Sequence, residues 1–175
     1  LDVSQKIPHS LGTKPGFMIV KIITEDRDWP CYHSSMGATK YNTLNGVTAA
    51  YTVKDTWNDE EPTATEFTVG RGTNVNEENK EYIAYLFAED SPGLIKCGSF
   101  TGNGTTNNVI TTGFPVQWLL LKNMNAAGGW IMFDSKRIDA NTSNDARLYA
   151  NSEGVEQNVE EYVELTDTGF ILKKT

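Results

Sequence analysis

The chain is poor in the residues that build most catalytic and metal centres. Its 175 residues hold 2 cysteines and 2 histidines. Cys31 and Cys97 are too few for a disulfide framework or a Cys-rich zinc site. They leave two readings open: one bridge, or two buried thiols that behave as small hydrophobes. His9 and His33 lack HxxxH or HExxH spacing, which argues against His-based metal chemistry. Long apolar runs are also missing. The longest, Trp118-Leu119-Leu120-Leu121, is strand-sized and far from the roughly 18 residues of a membrane-spanning helix, so no membrane insertion is expected. Positive charge is in deficit, with 15 Lys and Arg against 23 Asp and Glu, a net charge of −8. An acidic surface repels phosphate backbones, and nucleic acid is not an expected partner. No secretory pattern opens the chain and Leu1 is not a start methionine, so it reads as a processed or excised piece.

What is present fits a folded, soluble chain. Hydrophobic residues make up 38% and charged residues 22%, ordinary for a globular protein and unlike a disordered one. The length suits one mid-sized domain or two of about 80–100 residues. Short β-branched and aromatic runs read as strands: Phe17 to Ile23, Phe67 to Val69, Tyr82 to Phe87 and Phe170 to Leu172. Tyr82 to Phe87 is apolar on both faces and is expected inside a sandwich. Val155 to Leu165 fits both a helical and an extended pattern and is read as strand or loop. Dense turn signals at Asn45-Gly46, Gly70 to Thr73, Gly102 to Gly104 and Ala127 to Gly129 separate the runs. Many strands, frequent turns and few helices predict an all-β sandwich or jelly roll.

The chain also matches itself. Gly12-x4-Phe17-Met18-Ile19-Val20-Lys21 aligns with Gly113-x4-Trp118-Leu119-Leu120-Leu121-Lys122. Without a gap, Asp28-Trp29 to Ser34 then aligns with Gly129-Trp130 to Ser135. Leu44 aligns with Leu148 after a small insertion, and Phe67-Thr68-Val69 with Phe170-Ile171-Leu172. The reading is a duplicated module with β-sandwich repeats at residues 1–91 and 92–175. Trp29, Trp130, Trp118, Phe17, Tyr82, Tyr85 and Phe170 are the expected core anchors, because large rings bury much apolar surface. The second copy stops where a counterpart of Tyr82 to Ala88 should follow, and a missing strand leaves backbone unpaired. Three readings are open: the chain continues, another subunit donates the strand, or Tyr82 to Ala88 serves one fused sheet system.

Candidate chemistry is thin. Glycan hydrolysis needs two carboxyl groups about 5–9.5 Å apart across a cleft. Asp134, Asp139, Asp145, Glu60 and Glu61 supply acids but no distinguishing context. His33 and Ser34 lack a nucleophile elbow. Asp139 to Asp145 offers oxygen ligands that calcium accepts, without the glycine and terminal Glu of an EF-hand loop. Gly102-Asn103-Gly104-Thr105 reads as a tight hairpin, not a phosphate loop. No cofactor is expected. For a carbohydrate-binding surface the candidates are Trp57, Asp134 and Asn141.

The stretch Lys96 to Gly104, then Thr112-Gly113-Phe114, Trp118 to Lys122, Gly129-Trp130 and Asp134-Ser135-Lys136-Arg137 resembles a repeated β-rich domain of marine bacteriophage structural proteins. Asn76 with Tyr82 to Ala88, and His9 to Lys21, resemble two further strands of that domain. The first copy departs from the pattern at Pro30 and His33. The resemblance implies a non-enzymatic part of a virion (tail, fibre or surface assembly) that associates with copies of itself and other virion proteins, and presents loops to a host surface glycan. The alternatives are a lectin-like carbohydrate-binding module and, further off, a glycan depolymerase.

Overall fold

The computed structural model describes residues 3–138 and 144–174. Strand accounts for 40% of the chain and helix for 2%, so the all-β expectation holds. The chain divides into two compact units. One comprises Leu1–Ser91, Ile95–Gly98 and Met124–Gly128, and the other Pro92–Leu94, Ser99–Asn123 and Gly129–Thr175.

The first unit contains β1 (Gln5–Pro8), β2 (Pro15–Ile22), β3 (Pro30–His33), β4 (Lys40–Thr43), β5 (Tyr51–Thr52), helix α1 (Lys54–Trp57), β6 (Glu66–Val69), β7 (Tyr82–Ala88), β8 (Asp90–Ser91) and β9 (Ile95–Lys96). A five-stranded sheet runs β5-β4-β3-β2-β7, a second pairs β1 with β6, and β8 with β9 forms a small hairpin. Strict alternation along β2 turns Met18, Val20 and Ile22 inward, each at 2% exposure or less, as the period of two in a strand requires. Met18, Val20 and Tyr32 from the larger sheet meet Phe67 and Val69 of β6 and Ile7 of β1 across the core. Trp57 on α1 closes that core, 1% exposed, with its ring edge-on to Tyr32 at 6.2 Å. Asn58 ends α1 in the left-handed region at φ 57°, its amide donating to the Lys54 carbonyl. Asn tolerates that conformation better than most residues.

The second unit contains β10 (Asn108–Thr111), β11 (Trp118–Leu121), β12 (Ile131–Asp134), β13 (Asn144–Tyr149), β14 (Gln157–Glu160), β15 (Val163–Thr166) and β16 (Gly169–Leu172). Its sheets run β11-β12-β13-β14 and β10-β16-β15. They enclose Val116, Phe133, Val163 and Phe170. The ambiguous stretch from Val155 to Leu165 is extended, forming β14 and the start of β15.

The two units share several internal geometries. In β2–β3, Phe17 pairs with His33, Met18 with Tyr32 and Ile19 with Cys31. In β11–β12, Trp118 pairs with Asp134, Leu119 with Phe133 and Leu120 with Met132. The β1–β6 register from Gln5↔Val69 to Pro8↔Glu66 has its counterpart in β10–β16, from Asn108↔Leu172 to Thr111↔Gly169. Gly12 and Gly113 both sit at positive φ, 76° and 90°, where a side chain is strained. The Trp29 amide donates to Asn45 Oδ1 and its carbonyl accepts from Leu44. Trp130 does the same with Asn151 and Ala150. Leu44 is thus matched by Ala150 rather than by Leu148, which takes the place of Asn42 in the register with the preceding strand.

Several expectations are corrected. Trp118 and Tyr85 are not core anchors: they are 57% and 46% exposed, because strand alternation turns them to the outer face. Phe17, Trp29 and Tyr82 are half-buried, while Trp130 and Phe170 are buried. Tyr82 to Phe87 does not lie inside a sandwich but forms the edge of its sheet, one face on the core and the other outward. Gly102 to Thr105 is not a hairpin. It is a loop in which Asn103 Oδ1 accepts from the Thr105 amide, and β9 and β10 on either side do not pair.

Candidate functional site

The strongest surface features are the outward faces of β7 and β11. On β7, Tyr82, Ala84 and Leu86 pack on the core. The intervening Ile83, Tyr85 and Phe87 are 43%, 46% and 38% exposed. Half-buried Phe17 and Ile19 of β2 stand beside them on the same face, with the Phe17 and Phe87 rings 5.8 Å apart. The result is a contiguous apolar and aromatic stripe facing outward. Isolated exposed hydrophobes are normal, but a joined patch marks a contact surface.

On β11, Trp118 is the most exposed aromatic of its unit. Leu119 and Leu121 point to the core, yet remain half-buried. Their register counterparts Met18 and Val20 are 1% and 2% exposed. β2 is flanked by β3 and β7, whereas among the described residues β11 is flanked by β12 alone.

Of the residues expected to bind carbohydrate, Trp57 lies in the first unit and Asp134 in the second. Trp57 is a core residue with no face to offer a sugar ring. Asp134 closes the turn after β12: Oδ1 accepts from the Lys136 and Arg137 amides, and Oδ2 pairs with Arg137 Nε at 3.2 Å. His33 plays the same part after β3, with Nδ1 accepting from the Ser35 amide at 3.1 Å. A His therefore replaces an Asp there without loss of the turn, since both accept a hydrogen bond two residues on. Asn141 and Asp139 lie outside the described residues.

Two carboxylates have structural work that the sequence did not reveal. Asp145 is 2% exposed and Oδ2 accepts from the amides of Tyr162 and Val163 at 2.6 and 2.7 Å. Glu61 accepts from the Tyr32 hydroxyl at 2.6 Å, the Ala38 amide at 2.7 Å and Lys14 Nζ at 3.1 Å. Burial pushes the Glu61 carboxyl up, but these donors outweigh it and hold the group below its usual value. Burial, followed by the hydrogen bond to Glu61, pushes the Tyr32 hydroxyl well above the ordinary tyrosine range. No signal marked Asp145, which ends the polar stretch from Asp139. None existed for Glu61, whose partners lie 23 to 47 positions away.

Cys31 and Cys97 are free thiols, bonded to the separate carbonyls of Trp29 and Ala88. Burial pushes Cys97 up to about 11 and Cys31 higher still. A cavity of about 330 Å³ lies between β1–β6 and β2–β7, walled by Ile7, Val20, Phe67 and Tyr82, with Glu77 and Lys80 also lining it. Glu77 and Lys80 are engaged in ion pairs: Arg27 holds Glu25 and Glu77, and Lys80 holds Glu25. Among the described residues no group of three or more His, Cys, Asp or Glu could hold a metal ion, and no helix is long and apolar enough to cross a membrane.

A family model described as a domain of unknown function (DUF7483) matches residues 2–175. No curated protein and no solved structure matches the chain.

Proposed function

The chain belongs to the DUF7483 family, a domain of unknown function, and we propose that it is a non-enzymatic assembly module, built by duplication and used as a structural part of a virion such as a tail, fibre or surface layer. The observation that carries the assembly reading is the outward stripe of Ile83, Tyr85 and Phe87 beside Phe17 and Ile19. Surface of this kind is expensive to leave in water, at about 25 cal/mol per Å² of apolar area, and is stabilised by contact with a like surface. Copies of the same chain offer that surface, and symmetric repetition is how particle shells and fibres are built. The virion setting draws on the sequence resemblance at Lys96 to Gly104 and Trp118 to Arg137. The duplication is supported by the shared registers of the two units.

The test is sedimentation velocity across a concentration series. Concentration-dependent association is expected, and Tyr85→Lys combined with Phe87→Glu should abolish it while circular dichroism stays unchanged. A wild-type chain that remains monomeric at every concentration would overturn the self-association reading. Gold-labelled antibody against the chain, applied to purified particles, tests the virion setting.

One observation favours a second reading. Trp118 is 57% exposed on the outward face of β11, as a sugar-stacking platform requires. A lectin-like module predicts glycan binding that disappears in Trp118→Ala and survives in Tyr85→Lys/Phe87→Glu.

A further inference from the structure

We propose that Asn103 is a self-modification site, where the folded chain turns a side-chain amide into aspartate or isoaspartate through a cyclic imide, and that Asn45 is shielded from the same reaction. The dipeptide Asn-Gly occurs at these two places, Asn45-Gly46 and Asn103-Gly104. The modification is independent of the assembly reading. The chain and water supply every atom it needs. The Gly104 nitrogen gives its proton to solvent hydroxide and attacks Asn103 Cγ. An N–Cγ bond forms, the Cγ–Nδ2 bond breaks, and Nδ2 takes a proton from water and leaves as ammonia. The Gly104 nitrogen is then bonded to both carbonyl carbons of residue 103. Water opens this imide. Attack at Cγ leaves a normal aspartate, and attack at the main-chain carbonyl leaves the chain running through Cγ as isoaspartate. Nothing is oxidised or reduced.

Three observations single out Asn103. First, Asn103 and Gly104 are exposed, and a Cβ added to Gly104 meets nothing within 4 Å. Neither the attacking nitrogen nor the leaving group is walled in. Second, among the described residues no hydrogen bond engages the Gly104 amide or Asn103 Nδ2. Third, Asn103 Oδ1 accepts from the Thr105 amide and from Thr105 Oγ1, each at 2.9 Å. The bond to the Thr105 amide closes a ring of atoms that includes both Cγ and the Gly104 nitrogen, which holds the reacting pair together. Both donors also sit on the oxygen that turns negative as Cγ is attacked, where fixed donors lower a barrier.

The same groups are tied down at Asn45. That residue is exposed as well, so exposure does not separate the two sites. The Gly46 amide, which would have to attack, donates to the Thr43 carbonyl at 3.1 Å. Asn45 Oδ1 accepts from the Trp29 amide at 3.1 Å, and Nδ2 donates to Asp28 Oδ1 at 3.0 Å. The turn is also tight, since a Cβ at Gly46 would stand 2.2 Å from Thr43 Oγ1. Closing an imide at Asn45 therefore requires the nucleophile and the leaving group each to give up a hydrogen bond first, which raises the barrier. The fold, not the dipeptide, selects the reactive residue.

The test incubates the whole chain at mildly alkaline pH in heavy-oxygen water, then digests it with trypsin under mildly acidic conditions. The peptides Tyr41–Lys54 and Cys97–Lys122 carry the two sites, and fragmentation in the mass spectrometer separates Asn103 from Asn107 and Asn108. Asn103 should take up heavy oxygen about tenfold or more faster than Asn45, a barrier difference of about 1.4 kcal/mol or more, and give both aspartate and isoaspartate. In urea the two rates should converge, because the bonds that shield Asn45 are gone. Thr105→Val removes one donor from an exposed loop without touching a core, and should slow Asn103 about threefold with Asn45 unchanged. Equal rates in the folded chain, a faster Asn45, or a ratio that persists in urea would overturn the site. Aspartate without isoaspartate would overturn the imide route. An unchanged Asn103 rate in Thr105→Val would overturn the part given to the Thr105 hydroxyl.

Discussion

At Asp145 one buried carboxylate oxygen satisfies two backbone amides at the entry to β15, tying β13 of one sheet to a strand of the other. Asp145→Ala strands both donors in a dry site. A loss of about 3 kcal/mol is expected from the cost of unmade buried hydrogen bonds, read as a lower urea midpoint with an unchanged slope. Trp57→Ala empties a core site and should cost about 3–5 kcal/mol, while leaving any glycan binding that folded molecules show unaffected. Glu61 and Tyr32 set opposite ends of the pH range. The folded carboxyl is held below its ordinary 4.5, so its contribution is present above that pH and lost as pH falls through the folded value. Glu61→Gln should flatten this acid limb in pH-dependent thermal unfolding. The Tyr32 hydroxyl is raised above its ordinary 10.0, so its contribution is present below pH 10 and fades as the unfolded chain ionises above it. Raised thiol pKa values also predict that Cys31 and Cys97 react slowly with a thiol reagent in the native chain and fast once unfolded.

Among the elements, β7 and β11 show how far pattern reading reaches. The run Tyr82 to Phe87 is extended, as its β-branched and aromatic content implies. Its apolar residues on both faces suggested complete burial, but the outer set is exposed, with no second layer over it among the described residues. The same holds for Trp118, whose size suggested a core and whose place at odds with the inward Leu119 and Leu121 turns it outward. Trp57 erred in the other direction. It follows a short polar run, and only the packing of α1 against β4 and β6 takes it inside. For the candidate surface, then, the strands were legible and their exposed faces were not. Gly12 and Gly113 were legible as a matched pair but not as left-handed positions: Gly113→Ala should destabilise the loop before β11 by about 1 kcal/mol, because φ is 90° there.

For the molecule as a whole, net charge and apolar stripes pull against each other. A charge of −8 favours dispersed copies at low ionic strength. Salt screens that repulsion while the apolar contact persists. Self-association should therefore strengthen as salt rises, measurable by light scattering in a salt series. A contact held by ion pairs would weaken instead.

The amino-acid order alone determined that the chain is all-β and that a Gly-strand-Lys-turn-Trp pattern occurs twice. Each of these depends on backbone preferences and side-chain alternation within a few residues. The folded structure alone decided which side of each strand is covered, that among the described residues β11 has one neighbour and β2 two, and that Asp145 and Glu61 serve distant amides and hydroxyls. Alternation creates two faces, but coverage of a face is set by segments tens of residues away, and no local pattern encodes that.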